Sequence, residues 1–185
     1  MKTAKKETIL ILSFVLFSLL VPMTSAEILI GQTASLYNVG DDFSITIKIS
    51  PSAPVSDFLI ASLVCGGTEI NIYKSPQSVA QGEEKEVNIS ARLDNFLVQG
   101  TEGKCLIKAS FGGEEVSSQE FELTNDVKIS LNIQGIVFNP GETVSVTGKA
   151  EKANGKPVEG FVELTVSEIK FSFTSPVNAG AFNVT

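Results

Sequence analysis

From Asp42 to Ser50 the chain alternates without interruption. Phe43, Ile45, Ile47 and Ile49 are apolar, and Ser44, Thr46, Lys48 and Ser50 between them are polar. A repeat of two sets one face of a strand in a core and the other in water. Val87, Ile89, Ala91 and Leu93 repeat the pattern against Glu86, Asn88, Ser90 and Arg92. So do Val127, Ile129, Leu131 and Ile133 against Lys128, Ser130, Asn132 and Gln134. Turn residues punctuate the strands at short intervals: Asn38-Val39-Gly40-Asp41, Ser50-Pro51, Cys65-Gly66-Gly67, Gln81-Gly82, Gly112-Gly113, Asn139-Pro140-Gly141 and Asn154-Gly155-Lys156-Pro157. Glycine supplies positive φ there and proline fixes φ near the value a turn needs. Past the first 26 residues no long window carries a helical stripe.

The expected fold is all-β, as tandem antiparallel immunoglobulin-like β-sandwiches. The first spans 27–124, with strands at 27–33, 42–50, 57–65, 68–73, 84–93, 104–111 and 115–123. Seven strands in about 100 residues is the size of such a sandwich. The second spans 125–185, with strands at 127–134, 142–150, 158–167, 169–174 and 180–185. Its last strand stops without a turn or polar tail, which leaves an open edge. The expectation is that the second sandwich is truncated and the natural polypeptide runs on; a small complete five-stranded domain is the alternative. An internal echo ties the two together. Tyr37-Asn38-Val39-Gly40-Asp41-Asp42-Phe43 is matched by Phe138-Asn139-Pro140-Gly141-Glu142-Thr143-Val144, so both are expected to enter an alternating strand through the same turn.

Residues 1–26 stand apart. Lys2, Lys5 and Lys6 precede an apolar run from Ile9 to Val21, Pro22 breaks it, and Thr24-Ser25-Ala26 sets small residues before Glu27. This is the layout of a secretory signal peptide, with cleavage between Ala26 and Glu27. The run is well short of the ~20 residues a spanning helix needs; an uncleaved anchor is the alternative. The expected location is secreted or cell surface, with membrane contact only through this segment or an anchor outside the chain.

Composition then removes function classes. The chain carries 14 basic and 21 acidic residues, net −7, and the signal segment holds three of its lysines. Its only arginine is Arg92. An acidic chain without clustered Lys and Arg does not fit nucleic acid. There is no His, which removes Ser-His-Asp and Cys-His catalysis and imidazole metal ligands. No cofactor is expected, and no catalytic residue is assigned. There is no Trp, so the 12 Phe are expected to supply most large core side chains.

Three kinds of candidate site remain. Cys65 shares strand parity with Leu59, Ala61 and Leu63, and Cys105 with Ile107, Ala109 and Phe111, so both face inward from neighbouring strands. In an exported chain they are expected to pair, with two buried free thiols as the alternative. Asn88-Ile89-Ser90 and Asn183-Val184-Thr185 match the N-glycosylation pattern, each Asn on the polar face of its strand. The acidic groups Asp41-Asp42, Glu83-Glu84 with Glu86, and Glu114-Glu115 lie at turns. They read as solvated turns rather than calcium ligands, since no calcium-loop spacing is present.

Phe138-Asn139-Pro140-Gly141-Glu142-Thr143-Val144-Ser145-Val146-Thr147-Gly148, then Gly155-Lys156-Pro157-Val158, then Gly180-Ala181-Phe182 resembles a family pattern. It is similar to the Ig-like modules of prokaryotic surface proteins and the related macroglobulin-type, carboxypeptidase-regulatory-like sandwiches. The resemblance covers residues 126–185 and implies a stalk, spacer, adhesion or accessory module without catalytic residues. The leading functional expectation is therefore a non-catalytic structural or adhesive module of an exported protein, with cell-envelope or extracellular proteins or glycans as partners. The alternative is an accessory region of a larger exported enzyme (protease, transglutaminase-like or glycan-degrading) whose catalytic domain lies beyond residue 185.

Overall fold

A computed structural model describes residues 26–133, 139, 141–166 and 170–184. The signal segment, apart from Ala26, lies outside the described residues. The chain is all-β, built from antiparallel sheets around two hydrophobic clusters.

The amino-terminal unit holds nine strands: β1 (Ala26–Ile30), β2 (Leu36–Asn38), β3 (Asp42–Pro51), β4 (Val55–Cys65), β5 (Thr68–Val79), β6 (Lys85–Arg92), β7 (Gly103–Phe111), β8 (Glu114–Ser117) and β9 (Phe121–Thr124). One sheet has the order β1–β3–β6. The other runs β2–β9–β7–β4–β5, with β8 also on β7. All pairings are antiparallel except β2 with β9. The alternating faces meet between the sheets. Phe43, Ile45, Ile47, Ile49 and Ile89 come from one side; Leu59, Ala61, Leu63, Ile107, Ala109 and Phe111 come from the other; all are buried. Burial of this kind stabilises by about 25 cal/mol per Å² of apolar surface, which makes the two-sided core the main support of the unit.

The parity reading of the cysteines holds. Cys65 on β4 lies directly opposite Cys105 on β7, both are buried, and they are disulfide-bonded. The bond staples two neighbouring strands of one sheet across a sequence separation of 40.

Four local expectations change. β2 is a short extra strand, too brief to show alternation. β5 runs on to Val79, through Pro76, as an outer strand bonded only to β4; an edge tolerates a residue that cannot donate. The expected strand 115–123 splits into β8 and β9 at Ser118-Gln119-Glu120, where Ser118 Oγ accepts the Ile107 N–H at 2.9 Å. Between β6 and β7 lies one helical turn, α1 (Asn95–Val98), capped by the Asp94 carboxylate, which accepts the Leu97 N–H at 2.9 Å. Phenylalanine also supplies less of the core than expected. Phe43, Phe111, Phe121 and Phe182 are buried, with Tyr37 edge-on to Phe43 and Phe121, but Phe58, Phe96, Phe161 and Phe173 are exposed, and Ile and Leu supply more buried side chains than Phe does.

The carboxy-terminal unit holds β10 (Val127–Ile133), β11 (Val146–Lys152), β12 (Gly160–Val166), β13 (Phe171–Val177) and β14 (Ala181–Val184). One sheet has the order β10–β11–β14, and β12 pairs with β13 alone. The β13–β14 corner is a tight turn with positive φ at Ala179 and Gly180, closed by reciprocal bonds between Asn178 and Ala181. Its core is small: Ala150, Val162, Val177, Phe182 and Val184. Gly148 and Phe182, both in the motif noted above, are register partners. A Cβ at Gly148 would clash with the Phe182 ring and with the Ser130 carbonyl oxygen, so only glycine lets that ring cross β11.

Candidate functional site

The most distinctive polar chemistry lies where the two units meet. It begins with the turn the sequence repeats. In the first copy the Asp41 N–H donates to the Asn38 carbonyl at 3.0 Å, and Gly40 has φ +86°. In the second the Glu142 N–H donates to the Asn139 carbonyl at 3.1 Å, and Gly141 has φ +91°. This is the pattern of a type II turn, which needs positive φ at its third position. In each the acid closes the turn: Asp41 accepts the Asn38 N–H at 3.1 Å, and Glu142 accepts the Asn139 N–H at 2.8 Å. The echo is therefore one turn built twice.

The surroundings of the two acids differ. Glu142 is exposed, and the Asn139 side chain and N–H hold its carboxyl below the ordinary range. Asp41 corrects the expectation of a solvated turn, since its side chain is only 2% exposed. What covers it comes from the end of β11 and the loop that follows. Lys152 Nζ donates to Asp41 Oδ1 at 2.7 Å, Lys156 Nζ lies 3.4 Å from Oδ2, and the Asn154 amide donates to Oδ2. Asn38, also buried, donates its side-chain amide to the Asp126 carbonyl at 2.9 Å and accepts the Asn154 N–H at 3.0 Å. The Ala153 N–H reaches the same Asp126 carbonyl at 3.1 Å. Asp41 is fixed from its own side too, its carbonyl accepting the Leu93 N–H at 2.8 Å.

Burial pushes the Asp41 carboxyl upward. The hydrogen bond from Lys152, that from the Asn38 N–H, the Lys152 charge and the Asn154 amide outweigh it, so the net shift is downward. A buried carboxylate is tolerated only when paired and fully bonded, and here it has two ammonium groups and two amides. No buried side-chain nitrogen or oxygen among the described residues lacks a partner. Chemically the cluster is a lock: it holds the Asp41 charge in one geometry between the two units.

The other candidates stay apart from this joint. Asn88 is exposed on β6, its side-chain oxygen accepting the Thr46 hydroxyl at 2.6 Å. Asn183 is exposed on β14 and accepts the Ser145 hydroxyl at 3.3 Å; Thr185 of its motif lies outside the described residues. Glu84 and Glu86 both pair with Lys48, at 3.1 and 2.7 Å. Glu115 pairs with Lys108 at 3.1 Å. Among the described residues no three acidic or cysteine groups gather as a metal set. Ala26 opens β1 and is buried, while Glu27 beside it is exposed.

No protein-family model and no curated protein matches the chain. Solved structures are similar over roughly half of it. A β-glucosidase from Listeria innocua in complex with isofagomine is 13% identical over 55% of this chain and 16% of its own, with TM-score 0.46. The alkylpurine DNA glycosylase AlkC from Pseudomonas fluorescens, bound to DNA containing an abasic site analog, is 19% identical over 54% of this chain and 31% of its own, with TM-score 0.43. A CARDB domain from Pyrococcus furiosus, in complex with di-metal ions, is 11% identical over 56% of this chain and 96% of its own, with TM-score 0.40. The chain thus spans about a sixth of the β-glucosidase's length. At these scores the likenesses assign neither fold nor activity.

Proposed function

We propose that this chain is a non-catalytic structural module of an exported, cell-surface protein, and that the joint at Asp41 makes its two sandwiches act as one stiff spacer. The observation that carries this is the buried, fully partnered Asp41–Lys152 pair. Directional bonds to a buried carboxylate form at one relative orientation and are lost at others, so they resist bending where a plain linker would not. The alternating strands, the signal-like leader and the acidic surface agree with work outside the cell, where the resemblance to surface-protein modules also points. Expected partners are envelope or extracellular proteins or glycans.

Two measurements test this. Expression in a secreting host should give a chain beginning at Glu27 by mass, accessible to added protease on intact cells. Retention of Met1 in a cytoplasmic pool would overturn export. Small-angle scattering of the exported chain should fit one fixed arrangement of the units, whereas a broad ensemble would overturn the spacer.

A further inference from the structure

The small sheets of the two units match in order: β11 is central between β10 and β14, as β3 is between β1 and β6, all antiparallel. β10 therefore stands where β1 stands, but the two differ in cover. β1 packs against β7 and β8, and its Ala26 and Ile28 are buried. On β10 every residue is exposed. Val127, Ile129, Leu131 and Ile133 share a face with buried Ala150 and Phe182, yet they are 45, 57, 52 and 51% exposed. Among the described residues β10 is bonded to β11 alone, so its outer edge presents a row of N–H and C=O groups without strand partners.

Outer strands are ordinarily guarded against pairing by proline, bulges or charge. β5 carries Pro76 and faces a bulge at Ala61-Ser62, and β13 carries Pro176. β10 has no proline, its register with β11 is unbroken from Val127 to Ile133, and its one charge is Lys128. The strand is also complementary to itself. Laid antiparallel on a copy of itself about Ser130, Val127 meets Ile133, Lys128 meets Asn132, Ile129 meets Leu131 and Ser130 meets Ser130. The whole strand overlaps, apolar lies beside apolar, and no like charges oppose. The same operation fails on two other outer strands. On β12 it sets Glu163 against Glu163; on β6 it sets Lys85 against Arg92 and apolar positions against polar ones. Like charges directly opposite weaken a strand pair, whereas apolar pairs strengthen it.

We propose that β10 is a dimerisation edge. A second copy of this chain adds its own β10 antiparallel about a two-fold axis through Ser130, which joins the two three-stranded sheets into one continuous sheet. Both copies use the same surface, as a two-fold contact requires. Each apolar row then lies along the flank of the other, and the bare edge gains its backbone partners. One pair of short strands falls below the roughly 800 Å² per partner of a standard stable complex, so the dimer forms and dissociates with concentration. This inference rests on the edge and pattern of β10 and stands whether or not the module is a spacer.

Sedimentation of the purified chain should show its mean mass rising from one copy towards two as concentration goes from micromolar to millimolar. Ser130→Cys adds a free thiol, since Cys65 and Cys105 are bonded to each other. Across the axis its two copies stand about 4.5–5.5 Å apart between Cα atoms, within disulfide reach. Mild oxidation should therefore link the chains about tenfold faster than it links Ser90→Cys, which is exposed on β6. Asn132 is exposed and lies opposite Lys128 of the second copy. Asn132→Lys should weaken self-association severalfold, and Asn132→Glu should strengthen it severalfold, with melting at low concentration unchanged in both. A general loss of structure would not reverse sign with the charge. Three results overturn the proposal: the mass of one copy at every concentration, which would leave the edge to a different partner; Ser130→Cys linking no faster than Ser90→Cys; or a dimer that responds alike to Asn132→Lys and Asn132→Glu, which would place the contact elsewhere.

Discussion

In the amino-terminal unit the sheet β1–β3–β6 faces six strands and a disulfide; in the carboxy-terminal unit the matching sheet β10–β11–β14 faces, among the described residues, a single hairpin and no cysteine. The starting patterns are alike. Alternation on β3 and on β10 is equally regular, yet Ile47 and Ile49 are fully buried while Ile129 and Leu131 stand half in water. Alternation therefore fixes which face of a strand is meant for a core, and the opposing layer decides whether that face is buried. The two turns teach the same lesson for polar groups. Asn38–Asp41 and Asn139–Glu142 are built alike, but Asp41 lies beneath Lys152, Asn154 and Lys156, and Glu142 faces water.

Several substitutions sharpen or break this contrast. Opening Cys65–Cys105, by reductant or by Cys→Ala at both positions, should cost the first unit about 4 kcal/mol for a loop of this length. Denaturant unfolding should show that transition alone moving; a shift in the second unit would mean the two are not separately stabilised. Phe182→Ala removes a buried ring from the small core and should cost about 3 kcal/mol. Fluorine-labelled phenylalanine or exchange rates should show β10–β14 loosening while Phe43 and Phe111 keep their environment.

Asp41→Ala leaves Lys152 and Asn154 facing a void, and should cost about 2–3 kcal/mol, below the full value for a buried pair because both lysines keep contact with water. The pH dependence has a definite sign. The Asp41 carboxyl sits below its ordinary 3.8 in the folded chain, so its contribution is complete above about pH 4 and is lost as pH falls through the lower folded value. Acid loosening of the joint, followed by exchange at Lys152–Lys156, should flatten in Asp41→Asn. A joint that loosens between pH 5 and 7 would implicate another group. The smallest effect is expected from Gly148→Ala, about 1–2 kcal/mol of overpacking against the Phe182 ring and the Ser130 carbonyl oxygen. Pairing it with Phe182→Ala should remove only the ring's share of the cost, since the Ser130 carbonyl oxygen also lies against that position; if the double variant is fully additive, the ring's approach is no part of what requires glycine.

Much of the first unit was legible in the sequence because its strands are long, regular and two-faced. Parity alone turned Cys65 and Cys105 toward each other, and the repeated Asn-x-Gly-acid announced a shared turn. Three things had no local signal. β2 is too short to alternate. Ser118 breaks β8 from β9 through a tertiary hydrogen bond to the Ile107 N–H. The burial of Asp41 depends on a loop more than a hundred residues away, so composition around the turn reads as solvated when the fold makes it the joint. The only hint lay downstream, in Lys152, Asn154 and Lys156, two cations and an amide crowded into a hairpin loop.

If the Asp41 joint fixes the two units in one orientation, their separation should be single-valued. Spin labels at exposed positions on each, with Ser90→Cys and Glu163→Cys in the otherwise native chain, allow the distance between them to be measured by pulsed electron resonance near neutral pH. A single narrow distance distribution is expected, broadening severalfold when Asp41→Asn is added. A distribution already broad with Asp41 present, or one unchanged by the substitution, would contradict it.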